Sequence, residues 1–424
     1  MSGPITVNLS TWHTYFTTYA SNVTINGGNA NYTIIDHGDN ATITVGNGDQ
    51  YIYAGGTGNV ITIGSSPGGC GWYTDGDSDI YTGGNSFVFA LGDGDVDVVG
   101  WGGNNFVSLM NGDQSVYLTG DNNFVSTLNG SDWVYATGAN NTILLGTTTG
   151  NANNYNFVQT GGGAFVQTLA GQNDVYAAGN NNTIATGNGE QYIVARGTGN
   201  TIFIGDTPTA SAYHCGYGWY RPESYIRTGA QATVVAGNGD VDVISTSGGD
   251  FIQVGDGNNE IYLLGCSTAG NDTVLLGNGN NLVFLAGAGN SVALGAGVNT
   301  IVAGTGCTDA FQVSATGGHT EIWNFKAGDE LDLSQILAGE TTGNTLADLA
   351  PYVSLSMHTE IVHCGWGYTT QIDTTILVHG LLGDATIELE NYNAGSLEDF
   401  IAGNGACATS AFDSSHLAAF ALSR

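Results

Sequence analysis

Lysine and arginine together number only 5 in 424 residues, against 37 aspartates and glutamates, and proline also numbers only 5. The resulting formal net charge of −32 makes nucleic acid and anionic membrane surfaces poor partners. No run approaches the roughly 18 apolar residues a membrane helix needs, so no membrane insertion is expected. The opening MSGPITVNLSTWHTYF has neither a basic region nor an apolar stretch, and no cleaved secretory signal is expected from it. Catalytic signatures are missing as well: there is no H-E-x-x-H, no G-x-S-x-G and no phosphate loop, and the chain is expected not to be an enzyme. Paired acids such as Asp95 with Asp97, or Asp240 with Asp242, could serve a polysaccharide lyase or epimerase. Such an enzyme needs cations to neutralise a uronate, and Arg196, Arg221, Arg227, Lys326 and Arg424 are the whole supply.

What is abundant is glycine, at 68 residues, and it comes with a rhythm rather than a G-x-y period, which excludes collagen. Residues 277–304 hold three successive units in which a Gly-rich turn ends on a polar residue and a short strand follows; Asn281, Asn290 and Asn299 mark them at steps of nine. Upstream the same grammar runs at steps of eighteen: Asn105, Asn123 and Asn141 precede FVSL, FVST and TILL, and Asn182 and Asn200 precede TIAT and TIFI. A short strand and a fixed turn cannot bury a face alone and must stack on their neighbours. The predicted fold is therefore all-β: a parallel β-roll or β-solenoid with two strands in each coil of about eighteen residues, closed by capping segments at both ends. Alternation along each strand sends Val107, Val125, Ile143, Ile184, Ile202, Val283 and Ile301 inward. It sends Phe106, Phe124, Leu144, Phe203, Leu282, Phe284 and Val302 outward, with Tyr51, Tyr53, Phe87 and Phe89 on neighbouring strands. Outward apolar rows mark interaction surfaces. A column of turn asparagines could add a stacked amide ladder.

The units resemble the nonapeptide repeats of RTX proteins, which form a parallel β-roll and hold calcium between turns. The best matches are GDSDIYTGG at 76–84 and GNDTVLLG at 270–277. At the position that ligates calcium in that family stand Val60, Thr142, Asn259, Asn281, Ser291 or Asn299, so the resemblance implies few calcium sites, where Asp clusters survive: Asp75, Asp77 and Asp79; Asp93, Asp95 and Asp97; Asp329 and Asp332. The segment EIWNFKAGDELDLSQIL at 321–337 resembles the start of the C-terminal domain of type I secretion substrates, with Phe325, Gly328, Asp329, Leu331, Asp332, Leu333 and Ser334 carrying the match. That resemblance implies an uncleaved C-terminal signal read by a type I exporter of a Gram-negative bacterium, and a secreted protein at the cell surface or beyond it.

The expected organisation is an N-terminal cap or assembly arm over 1–30, the solenoid over 31–318, and the secretion-like domain over 319–424. An internal duplication relates about 45–110 to 186–255, and each copy is interrupted by a Cys-Gly-rich aromatic loop. Trp72 lies in the first, Trp219, Tyr220 and Arg221 in the second with Arg227 close behind, and Trp366 in a third version near the C-terminus. These residues, with Phe106 and Phe124, are the candidate contact residues. Six cysteines permit three bridges and fifteen connectivities, and no zinc spacing is present. The expected function is a secreted structural protein that self-assembles as a surface layer, filament or biofilm matrix. The alternative is a calcium-dependent adhesin that binds cell-surface polysaccharide through the aromatic loops.

Overall fold

The computed structural model describes residues 5–12, 14–66, 77–147, 155–207, 223–265, 270–304, 306, 308–340, 346–364 and 367–394. The chain divides into two compact units, Met1–Gly205 and Asp206–Arg424. Each is a parallel β-solenoid whose coil contributes one short strand to each of two sheets. Among the described residues the one helix is the short turn Leu346–Leu349.

In the N-terminal unit the first sheet runs from Ile5–Asn8 to Thr201–Ile204, and the second from Tyr15–Thr18 to Gln191–Arg196. Strands pair parallel with the strand one coil on, so Phe106, Val107 and Ser108 face Phe124, Val125 and Ser126. Residues 5–30, set apart in the sequence for want of Gly-rich turns, already run in coil register: Ile5 pairs with Val23 and Tyr15 with Thr33.

Each strand sends one small branched side chain to the middle. Ile43, Ile52, Ile61, Ile80, Val88, Val98, Val107, Val116, Val125, Val134 and Ile143 are all fully buried. β-branched side chains suit this place because their restricted χ1 fits the pleat, and each burial stabilises by about 1.5–3 kcal/mol. The predicted inward set is buried without exception.

Coil corners are held by polar ladders. At the corner before the first sheet, the backbone N–H of Asn105 donates to Oδ1 of Asn123 (3.0 Å), and that of Asn123 donates to Oδ1 of Asn141 (2.9 Å). Further along, the N–H groups of Ala164 and Asn182 donate likewise to Asn182 and Asn200. Each amide also donates its own Nδ2 back to a turn carbonyl, as Asn105 does to Gly102. The residue just before each ladder asparagine does a different job: Asn104, Asn122, Asn140 and Asn181 hold φ of 59°, 57°, 56° and 58°. This is left-handed backbone, where Asn is tolerated better than other side chains. A longer step does not break the bonding between coils, since the separation is 24 where Asp132 N–H meets Asn156.

The C-terminal unit repeats the plan. Its first sheet runs from Thr233–Ala236 to Glu330–Asp332 and its second from Ser224–Thr228 to Gly318–Trp323. The coil thus continues past residue 318, where the Gly rhythm fades: His319 pairs with Val298, and Leu331 with Phe311. The second sheet is then extended by Asp384–Glu390, parallel to Gly318–Trp323, and by the antiparallel strands Gly367–His379 and Val353–Cys364. In this unit the ladder at the corner before the first sheet is built mostly of acids. N–H groups of Ala232, Asp250, Asp272, Asn290 and Asp309 donate in turn to Oδ1 of Asp250, Asp272, Asn290, Asp309 and Asp329.

Candidate interaction faces

The outward faces of both sheets in the N-terminal unit carry aromatic runs. On the first sheet Phe87, Phe106 and Phe124 follow one another, with ring centres of Phe106 and Phe124 4.7 Å apart and planes within 5°. On the second sheet Tyr19, His37 and Tyr53 form a run at 4.5 and 5.4 Å, and Trp101 lies 5.9 Å beyond Tyr53. A second run on that sheet links Tyr117, Tyr135, Phe157, Tyr176 and Tyr192 at 4.9 to 5.7 Å. For Phe106 with Phe124 and Tyr117 with Tyr135 the coil step dictates this, since the same outward position in successive strands lies one strand spacing, about 4.8 Å, away, which is the separation at which rings stack. Tyr135, Phe157, Tyr176 and Tyr192 meet diagonally, two positions apart on paired strands. Phe87, Phe203, Tyr117 and Trp101 each keep over 40% of their surface exposed, so the rows are not covered by the described parts of their own unit. In the C-terminal unit Tyr262 and Phe284 stack at 5.0 Å.

Electrostatics on these faces come from acids in apolar surroundings. Asp174 stands on the outward row between Phe157 and Tyr192 of the flanking strands, and burial among them pushes its carboxyl up to about 6. Nothing in its local sequence signals this, because its ring neighbours come from other coils. A groove of about 310 Å³ lies beside it, lined by Phe157, Gln159, Tyr176, Val194 and Arg196. Two more acids are raised inside the corners. Asp132, with no exposed surface, is pushed up to about 7 by desolvation, against hydrogen bonds from Thr127 and the Gln114 N–H. Asp250 is pushed up to about 6 for the same reason.

Of the acids singled out in the sequence, Asp75 lies outside the described residues. Asp77 is half-buried just before its strand, and Asp79 and Asp97 face one another outward on paired strands. Burial, with the Asp97 charge second, raises the Asp79 carboxyl. Asp93 accepts from Nδ2 of Asn111 (2.9 Å) and Asp95 from the N–H of Asp113 (2.7 Å). Asp329 is buried, accepting from the Asp309 and Lys326 N–H groups, and Asp332 accepts from the Ser334 N–H and Gln312 Nε2. Many turn carboxylates are thus occupied by the backbone of the next coil. Among the described residues, three carboxylate, imidazole or thiolate donors from different residues come within 4.8 Å of one another at His319, Glu321 and Glu388, and not within the three predicted Asp clusters.

Arg227 is exposed on Ser224–Thr228, and Phe106 and Phe124 are half-buried in their stack. Trp72, Trp219, Tyr220, Arg221 and Trp366 lie outside the described residues. So do Cys70, Cys215, Cys266, Cys307 and Cys407.

Stacked coils, buried branched columns and polar corner ladders define the class of this protein: a parallel β-solenoid of about 16 turns, consistent with a β-roll. No family model matches the chain, and no curated protein or solved structure matches it either.

Proposed function

We propose that this protein is a structural solenoid that associates with further copies of itself through its aromatic sheet faces. The observation that carries the reading is the unbroken outward row Phe87, Phe106 and Phe124, partly exposed and in stacking contact. A surface kept only for solubility would place polar residues there, as the neighbouring Ser108 and Ser126 do. With −32 net charge, association has to overcome repulsion, so added salt favours it. Export through a type I exporter, to the cell surface or beyond, belongs to this reading on the likeness of residues 321–337, and so do a few calcium ions.

A second reading, polysaccharide binding, is favoured by one observation. The groove beside Asp174 presents Phe157 and Tyr176 as stacking planes and Arg196 as a cation, in a chain with very few. Rings and a guanidinium suit a sugar ring carrying an acid group.

Both are tested with one pair of variants. Phe87→Ser with Phe106→Ser and Phe124→Ser is expected to lower particle mass in light scattering at least tenfold while β-circular dichroism persists. Unchanged particle size would sink self-association through this face. If instead particle size depends on added acidic polysaccharide and Tyr176→Ala with Arg196→Ala removes that dependence, the second reading stands.

A further inference from the structure

The second sheet of the C-terminal unit brings together three side chains that are far apart in sequence. Gly318–Trp323 belongs to the last coil on this sheet, and Asp384–Glu390 is laid parallel beside it, with Glu321 directly opposite Glu388. His319 lies two residues before Glu321 and so on the same side of the strand. One donor atom from each of the three lies within 4.8 Å of the others, and Nε2 of His319 is 3.9 Å from Oε1 of Glu321. All three are half-buried.

Among the described residues no lysine or arginine forms an ion pair with this cluster. Of the described lysines and arginines, Lys326 turns its ammonium to the carbonyl oxygens of Gly304 and Gly306. Arg196 belongs to the other unit, and Arg227 sits on a strand paired with Val241–Ser245. Two more acids stand on the same sheet: Gln371 donates Nε2 to Asp373 (2.8 Å) and to Glu390 (2.9 Å), spending its amide between them. Four carboxylates and an imidazole on one sheet, with no lysine or arginine paired to them among the described residues, form an arrangement that a bound cation would complete.

We propose that His319, Glu321 and Glu388 form a three-ligand site for a divalent transition-metal ion of the zinc type. The donor set decides the class of ion. Imidazole nitrogen with two carboxylate oxygens suits zinc and its neighbours, whereas calcium takes six to eight oxygens and gains nothing from imidazole. The imidazole also separates this site from the acid-only turns, where Asp95 and Asp240 already accept backbone N–H groups. Ligand bonds of about 2.0–2.2 Å ask only that the two flexible glutamate side chains close in by rotamer adjustment. Three protein ligands leave a position for water.

The topology gives the ion a task. It would bridge the last coil strand to the first strand of the closing antiparallel group, which the chain reaches only after a long excursion through Val353–Cys364 and Gly367–His379. A metal held by both strands stabilises the closed state over any in which Asp384–Glu390 has detached, because ligands from two segments converge only when both are docked.

The test uses the full chain, purified in chelator and with thiols alkylated so that the cysteines take up no metal. Zinc titration followed by calorimetry and by thermal melting is expected to show binding at this site and a raised melting temperature. Both His319→Ala and Glu388→Gln should weaken this zinc binding at least tenfold and erase the melting shift. His379→Ala, which removes an exposed imidazole paired with Asp384 in the same strand group (3.1 Å), should leave both intact. Cobalt in place of zinc should give a visible d–d spectrum in the wild type that His319→Ala abolishes. β-circular dichroism of each variant in chelator checks that it has folded. Folded wild type that takes up no zinc, variants that bind zinc as the wild type does, or zinc displaced by equimolar calcium would each overturn the proposal.

Discussion

Asp132→Asn is expected to stabilise the N-terminal unit at pH 8 by about 4 kcal/mol and to leave its stability at pH 4 nearly unchanged. The carboxyl titrates near 3.8 when unfolded and is raised to about 7 in the corner, where it is fully buried. Between those values the folded protein holds a proton that the unfolded chain has released. Stability from this group is therefore complete below pH 3.8 and is lost as pH rises through about 7. A shift of roughly three units at 1.36 kcal/mol each gives the size of the loss. Asparagine carries no charge to desolvate, and the geometry accepts it. Its Oδ1 can still receive the Gln114 N–H, and its Nδ2 can donate to the Thr127 hydroxyl once that rotates. Asp250→Asn in the other unit should act likewise, by about 3 kcal/mol, since Asp250 is raised to about 6. Urea unfolding midpoints of wild type and both variants at pH 4, 6 and 8 measure this. A wild type as stable at pH 8 as at pH 4, with Asp132→Asn following it at every pH, would show that water reaches these corners.

The second large effect concerns two adjacent residues of one type. Asn123→Ala should destabilise by about 2–6 kcal/mol, because it strips partners from the Asn105 N–H and the Gly120 carbonyl in a buried corner, and each orphaned group costs about 1–3 kcal/mol. It also leaves Asn141 Oδ1 without the Nδ2 that donates at 3.2 Å. Asn122, next door, contributes left-handed backbone rather than a buried amide, with φ of 57°. Asn122→Gly should therefore be nearly neutral, and Asn122→Ala should cost about 1–2 kcal/mol. Equal unfolding midpoints for Asn122→Gly and Asn123→Gly would contradict this division of labour.

Local repetition carried most of the fold. The alternation Phe106-Val107-Ser108, recurring as Phe124-Val125-Ser126, was enough to fix strand, parity and coil step, because a solenoid strand meets only its copy one turn away. The row Phe106 and Phe124 was legible for the same reason, since identical outward positions lie one strand spacing apart, but the diagonal contacts of Phe157 with Tyr135 and Tyr176 were not. The Asn ladder was legible as a column, but not the pairing of a left-handed Asn with a buried one at each corner.

Tertiary structure alone decided what lies across an irregular step. Asp174 meets Phe157 across a step of 17 residues and Phe157 meets Trp133 across one of 24, and no local pattern states how far a step will depart from eighteen. The G-D-x-L-D-L-S segment gives no sign in sequence that its Asp329 closes an acidic corner ladder and its Leu331 fills the core. His319, Glu321 and Glu388 are joined by a strand that returns to the sheet after two antiparallel strands have intervened. Period and parity are properties of neighbours along the chain, so the sequence by itself determined them here. Convergence of distant side chains depends on where insertions restore register and which edge a returning strand takes, and hydrogen bonding between complete coils settles that.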